Sequence, residues 1–88
     1  MGITVELTYD MSKALGVRSF EVNGARTVRD VVQQTRAQFG AERADDFEKL
    51  TRVAAVAVNG VVVSHKHGMK TALVDGDTVT FLKAAAGG

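Results

Sequence analysis

The carboxyl end of the chain holds the residues whose types and order most clearly suggest chemistry. The 88-residue sequence closes with a lysine, three alanines and two glycines: Lys83, Ala84, Ala85, Ala86, Gly87 and Gly88. A free carboxylate is a poor electrophile, so the terminal carboxyl of Gly88 must be activated before a nucleophile attacks it. Glycine has no Cβ and adopts backbone angles closed to other residues, so Gly87 and Gly88 can thread a narrow channel. The ending therefore predicts a thin terminus that would suit a carboxylate reacting in a narrow site, with an ordinary frayed terminus as the alternative.

Two other groups of polar residues are weaker candidates for a site. His65 and His67 lie two positions apart in a polar segment, but a metal site needs further ligands and the chain has no cysteine. Asp75 and Asp77 flank Gly76, which is more typical of a tight turn than of paired catalytic carboxylates. The sequence has no serine–histidine–acid set and no glycine-rich phosphate loop. We therefore predict no metal, no permanently bound cofactor and no catalysis by this chain alone.

The composition is that of one small globular domain. Hydrophobic residues make up 45% of the chain, charged residues 24%, and the net charge is +1. The lack of cysteine excludes a disulfide framework and fits a reducing cytoplasm. Basic residues are not clustered, no charged leader precedes an apolar stretch, and no apolar run approaches the ~20 residues of a membrane-spanning helix. We expect a cytoplasmic protein that binds neither nucleic acid nor membrane.

The first half of the chain predicts two strands and a helix. Residues 3–9 alternate apolar and polar side chains, which predicts a half-buried strand whose inward face includes Tyr9. A second strand is predicted at 17–22, and residues 10–16 are interpreted as the connection. A helix is predicted at 27–39, because Thr27 is a suitable N-cap and glycine follows at position 40.

The segment after this helix allows a second, shorter helix and predicts an interior strand. Residues 41–52 are charged and allow a helix around 45–50, with Phe47 and Leu50 on its buried side. Val53 to Val58 is a continuous apolar run, which is typical of a central strand covered on both faces.

The last third of the chain predicts a hairpin, a loop and a final strand. Asn59-Gly60 is a strong hairpin signal before a short strand at 61–63. Residues 64–77 are interpreted mostly as loop, with Leu73 filling the core. The final strand is predicted at 78–82. The whole pattern predicts one α+β domain over residues 1–82, in which one main helix covers one sheet, followed by a tail at 83–88.

The final strand presents two faces beside the tail. Val79 and Phe81 share the inward face, so Phe81 fits the core better than a contact surface. Leu82 lies on the opposite face next to the tail, and it is a candidate docking contact because interface cores favour large apolar residues. Lys83 would contact acidic residues at the edge of a partner's binding surface, or it would only keep the tail solvated. The candidate partner-binding residues are Phe81, Leu82, Lys83, Ala84, Ala85 and Ala86.

The order of elements resembles the β-grasp fold of ubiquitin, and the local motifs resemble the MoaD and ThiS family of sulfur carrier proteins. The resemblance covers nearly the whole chain and implies a mixed sheet of about four or five strands on one main helix. The stretches that carry it, together with the terminal Gly87-Gly88, are Ala14-Leu15-Gly16, Thr27-Val28-Arg29-Asp30-Val31-Val32, Val56-Ala57-Val58-Asn59-Gly60 and Asp75-Gly76-Asp77-Thr78-Val79-Thr80-Phe81.

The resemblance implies that the chain carries chemistry on its own terminus. A ubiquitin-activating-like partner enzyme would join the Gly88 carboxylate to AMP, with ATP consumed by that partner. A sulfur donor or sulfurtransferase would displace AMP and leave a thiocarboxylate, and a synthase would accept the sulfur. The alanines before Gly87 resemble carriers for cysteine or thio-metabolite synthesis more than molybdopterin carriers, which often have prolines there.

Two alternatives to the carrier remain open from the sequence. A ubiquitin-like modifier would use the same activated Gly88 but join it to a lysine of another protein. A β-grasp interaction module would have an idle tail, since ordinary chain termini fray.

Overall fold

The computed structural model describes residues 2–63 and 68–83. Within them the strands are β1 (Ile3–Glu6), β2 (Ser19–Val22), β3 (Ala54–Val58), β4 (Val61–Val63) and β5 (Thr78–Lys83). The α-helices are α1 (Tyr9–Leu15), α2 (Val28–Phe39) and α3 (Ala44–Arg52), and a 3-10 turn spans Ala41–Arg43.

The described strands form one sheet in the order β2-β1-β5-β3-β4. β1 and β5 are parallel, whereas the pairs β1–β2, β3–β5 and β3–β4 are antiparallel. The last strand in sequence therefore lies in the middle of the sheet. The predicted α+β fold, with a mixed sheet on one main helix, is confirmed.

Helix α2 covers the inner face of the sheet because its apolar residues recur at helical spacing. Val28, Val31 and Phe39 are at most 2% exposed. A capping box fixes the start of the helix: the Thr27 hydroxyl accepts from the Asp30 amide, and the Asp30 carboxylate accepts from the Thr27 amide. The predicted helix at 27–39 is confirmed, with Thr27 as its cap.

Helix α3 extends the core beyond α2. Phe47 is 2% exposed, and its ring centroid lies 5.0 Å from that of Phe39. Leu50 is half-buried against the same core. The helix that the sequence allowed around 45–50 is thus present in the structure, and it is longer at both ends. None of the described helices is long and apolar enough to cross a bilayer.

The strand prediction is wrong for residues 7–9, and the predicted connection at 10–16 contains most of helix α1. β1 ends at Glu6, and Tyr9 is 74% exposed at the start of α1 instead of lying on the inward face of a strand. The Thr8 hydroxyl accepts from the Met11 amide at 3.1 Å and caps this helix, while the Met11 side chain is fully buried. The cap and the buried methionine stabilise the helix over a longer strand.

Smaller differences occur at other strand ends. Val17 is 45% exposed and Val53 is 54% exposed, and both lie just outside the strands predicted to contain them. Neighbouring Val56 and Ala57 point to opposite faces and are both buried, as expected for an interior strand. Leu73 is 7% exposed and fills the core as predicted.

A cluster of hydrogen bonds joins the turn before β5 to the β3–β4 hairpin and so fixes the position where β5 begins. The Asp77 carboxylate accepts from the Val74 amide and from Asn59 Nδ2, each at 2.9 Å. Asn59 Oδ1 accepts from the Thr78 amide at 2.9 Å. These bonds, from the Val74 amide first and then from Asn59, hold the pKa of Asp77 below its usual value.

Acidification should weaken the fold through this cluster. Because the folded-state pKa of Asp77 is lowered, its contribution is complete above the unfolded pKa near ~3.9 and is lost as pH falls through the lower folded value. We expect the urea midpoint to fall between about pH 5 and pH 2, and Asp77→Asn to flatten that fall. Asp75→Asn controls for removal of one charge from the same turn. An unchanged pH profile in Asp77→Asn would contradict the assignment.

Candidate functional site

The position of β5 determines where the tail leaves the domain. Its last residue, Lys83, pairs with Ala54 of β3. Lys83 was predicted to begin the tail, and it is instead the last residue of the strand. The tail therefore starts after Lys83, one residue beyond Leu82, whose backbone pairs with Ala55 of β3.

Side-chain alternation along β5 separates a core face from an outer face. Phe81 is 2% exposed and lies in the core, so its side chain is not available to contact a partner. Leu82 is 41% exposed on the other face, as predicted. Lys83 is exposed at the end of the strand.

Leu82 belongs to an apolar group on the outer face, which we call the outer patch: Ala55, Ala57, Val62 and Leu82. The strand register assembles it, because Leu82 lies opposite Ala55 while Ala57 lies opposite Val62. Ala57 is 2% exposed and Ala55 is half-buried, so the accessible apolar surface comes mainly from Val62 and Leu82, which are 60% and 41% exposed. An apolar surface beside the start of the tail suits a docking partner.

Sequence reasoning missed the other three members of the outer patch. Val62 was placed in a strand, and Ala55 and Ala57 were assigned only to a buried apolar run. The Asn59-Gly60 turn was the available signal, because a two-residue hairpin fixes Val62 opposite Ala57. The pairing of β3 with β5 could not be found this way, since the two strands are distant in sequence.

The outer face is polar on the β1–β2 side. Thr80 of β5 donates a hydrogen bond to Glu6 Oε1 at 2.8 Å, and Glu6 and Glu21 are both exposed. Alternation places these groups on the same face as Leu82. The face therefore offers an apolar half and a half with two carboxylates, which fits a partner surface that is apolar with a basic margin.

Several predicted residues lie outside the described part of the chain. They are the tail residues Ala84, Ala85, Ala86, Gly87 and Gly88, and the two histidines His65 and His67. Their predicted roles stay predictions. Within residues 2–63 and 68–83 there is no group of three or more histidine or acidic side chains that could hold a metal ion.

Comparison with known families identifies the class of protein. The sequence model of the ThiS family matches residues 10–88, so the chain belongs to the ThiS family. No curated protein sequence matches the chain.

Solved structures show the same ubiquitin-like fold. CysO of Mycobacterium tuberculosis, described as an antigen, is 26% identical with a TM-score of 0.75, over 94% of this chain and 99% of that chain. A chain of the Amycolatopsis orientalis BexX/CysO complex is 31% identical with a TM-score of 0.72, over 98% and 99%. The Haloferax volcanii HVO 2177 protein is 30% identical with a TM-score of 0.69, over 100% and 87%. The predicted MoaD and ThiS relationship is confirmed.

Substitutions at neighbouring positions of β5 should separate core from surface. Phe81→Ala leaves a cavity and should lower the free energy of unfolding by about 3–5 kcal/mol. Leu82→Ala removes a partly exposed side chain and should cost less than about 1 kcal/mol. Urea denaturation of both variants measures the difference. Equal losses would show that Leu82 is a core residue and not part of an available surface.

Proposed function

We propose that this chain is a sulfur carrier whose C-terminal carboxylate is the reacting group. A ubiquitin-activating-like enzyme joins the Gly88 carboxylate to AMP with release of pyrophosphate from ATP. A sulfur donor then displaces AMP and leaves a thiocarboxylate. A synthase takes the sulfur into its product, which belongs to cysteine, molybdopterin or thio-metabolite biosynthesis, and this sequence of reactions takes place in the cytoplasm.

One observation carries the proposal: an apolar outer patch borders the strand that leads directly into a diglycine terminus. Leu82 is fixed in the outer patch by its pairing with Ala55, one residue before the last residue of β5. A partner that docks on this patch receives the tail from a known point and direction. Membership of the ThiS family supports the same role.

The domain serves the reaction by positioning the tail. Gly88 follows Lys83 by five residues, which span about 17 Å when extended. The tail can therefore reach a buried adenylation site while the rest of the domain stays on the enzyme surface. Reaction rates fall steeply when a reacting carbon is misplaced, so the lack of side chains at Gly87 and Gly88 favours close approach of nucleotide and nucleophile.

The partner of the proposed kind is an enzyme that holds the domain by its outer face. The structure of the Amycolatopsis orientalis relative is that of a complex of CysO with BexX, which supports a role carried out with a partner protein. Glu6 and Glu21 on the polar half of the face favour a partner with basic groups at the matching margin.

Activation of Gly88 is tested by ATP–pyrophosphate exchange with the ubiquitin-activating-like enzyme of the source organism. We expect exchange with the wild-type chain and loss of exchange after Gly88→Ala or deletion of Gly88, with the urea midpoint unchanged. Exchange that persists in the deletion variant would refute activation at this carboxylate.

Docking through the outer patch is tested with Leu82→Ala in the same assay. We expect KM for the carrier to rise roughly tenfold with little change in kcat, because a lost interface anchor costs about 1–2 kcal/mol. Val74→Ala is the matched control, because Val74 is 69% exposed near the opposite end of β5. An equal effect of both substitutions would contradict specific docking at Leu82.

The product distinguishes a carrier from a modifier. Intact-mass spectrometry after reaction with a sulfur donor should show the mass gain of one sulfur replacing one oxygen. A covalent adduct with a second protein through lysine would instead show a ubiquitin-like modifier.

A further inference from the structure

The sheet is incomplete on one side of β5, immediately before the tail. The parallel pairing of β1 with β5 ends at Glu6 and Thr80. β5 continues through Phe81, Leu82 and Lys83, which pair with β3 on the other side. The last part of β5 therefore has a strand on one edge and none of the described strands on the other.

The first helix causes this gap. In a longer β1, Thr8 would continue the ladder beside β5. Instead its hydroxyl accepts from the Met11 amide, and its carbonyl accepts from the Ser12 amide at 2.8 Å. Both acceptors of Thr8 are used by α1, so the chain turns away from the sheet at this residue.

The hydrogen-bond alternation shows which backbone groups of β5 lose a partner. Thr4 donates its amide to the Asp77 carbonyl, and Asn59 donates its amide to the Thr78 carbonyl. Odd-numbered residues of β5 thus face β1, and even-numbered ones face β3. The Phe81 carbonyl and the Lys83 amide point into the gap, where the described residues supply no backbone partner.

The gap is a groove of about 750 Å³. Leu7, Thr8 and Tyr9 form one wall, and the end of β5 forms another. Two acidic and two basic side chains line it: Glu6, Asp10, Arg18 and Lys83. The balanced charges favour neither an anion nor a cation, whereas an unpartnered donor and acceptor at strand spacing match a peptide backbone.

We propose that this groove receives a short extended segment of the enzyme that takes the tail, which adds to β5 in place of the missing end of β1. The inference rests on the proposed function, because the occupant belongs to the enzyme that activates Gly88. The segment needs about three residues, or roughly 10 Å, to span the gap. Its backbone accepts from the Lys83 amide and donates to the Phe81 carbonyl. This pairing orients the last residue before the tail, while the outer patch supplies docking area.

Amide hydrogen exchange measured by NMR tests the pairing. In the free protein, the Lys83 amide should exchange fast, and the Leu82 amide, which faces Ala55 of β3, should be protected. In the complex with the ubiquitin-activating-like enzyme, the Lys83 amide should slow at least about tenfold, as expected for a backbone hydrogen bond formed on binding. Leu82 is the internal control, because its protection precedes binding.

Replacing the Lys83 amide by an ester through semisynthesis removes the donor, and it also weakens the Leu82 carbonyl as an acceptor toward Ala55 of β3. We expect roughly fivefold weaker binding to the enzyme, the value for loss of one hydrogen bond, with only a small fall of the urea midpoint from the weakened pairing of Leu82 with Ala55. Tyr9→Ala removes an exposed wall of the groove and should also weaken binding. Val17→Ala, at an exposed residue that does not line the groove, should not.

The outcomes separate this inference from the proposed function. Pyrophosphate exchange together with new protection at Lys83 supports both. Pyrophosphate exchange with a Lys83 amide that stays fast, or full affinity of the ester, overturns strand addition and leaves the carrier role standing. Absence of any exchange or complex with the enzyme overturns both.

Discussion

The central position of β5 organises the sheet, the core and the start of the tail. The strand pairs with β1 in parallel and with β3 antiparallel, and it buries Val79 and Phe81 against α2 and its neighbours. Because side chains alternate along a strand, burial of these two residues forces Leu82 to the outer face. The same pairing fixes the direction of the chain at Lys83. The chain therefore approaches its terminus from a strand that is paired on both sides over residues 78–80.

The stabilising core and the candidate site lie on opposite faces of the sheet. Phe39 and Phe47 pack together on the inner, helical side, where large apolar side chains are concentrated. The outer patch is built partly from alanines, which bury little area and leave Val62 and Leu82 raised above them. The outer face can therefore present apolar surface to a partner without weakening the core.

Competition for Thr8 links local structure to the base of the tail. The hydroxyl and the carbonyl of Thr8 accept hydrogen bonds from two amides in the first turn of α1. The buried Met11 side chain anchors that turn. The Arg43 guanidinium also donates to the Ala14 carbonyl near the end of the helix. Because β1 ends where α1 begins, backbone groups at the end of β5 face a groove. The capping preference at Thr8 therefore determines what lies beside Lys83.

Elements with local signals could be predicted from the amino-acid sequence. Thr27 and Gly40 mark α2, Asn59-Gly60 marks the β3–β4 hairpin, and alternation separates Phe81 from Leu82. The sequence was misleading at residues 7–9, because alternation continued past Glu6 while the cap at Thr8 and the burial of Met11 favoured a helix. The position of β5 between β1 and β3 is visible only in the folded domain, because pairing of strands distant in sequence depends on burial of the whole core. That long-range pairing assembled the outer patch and placed the end of β5 beside the gap that α1 leaves.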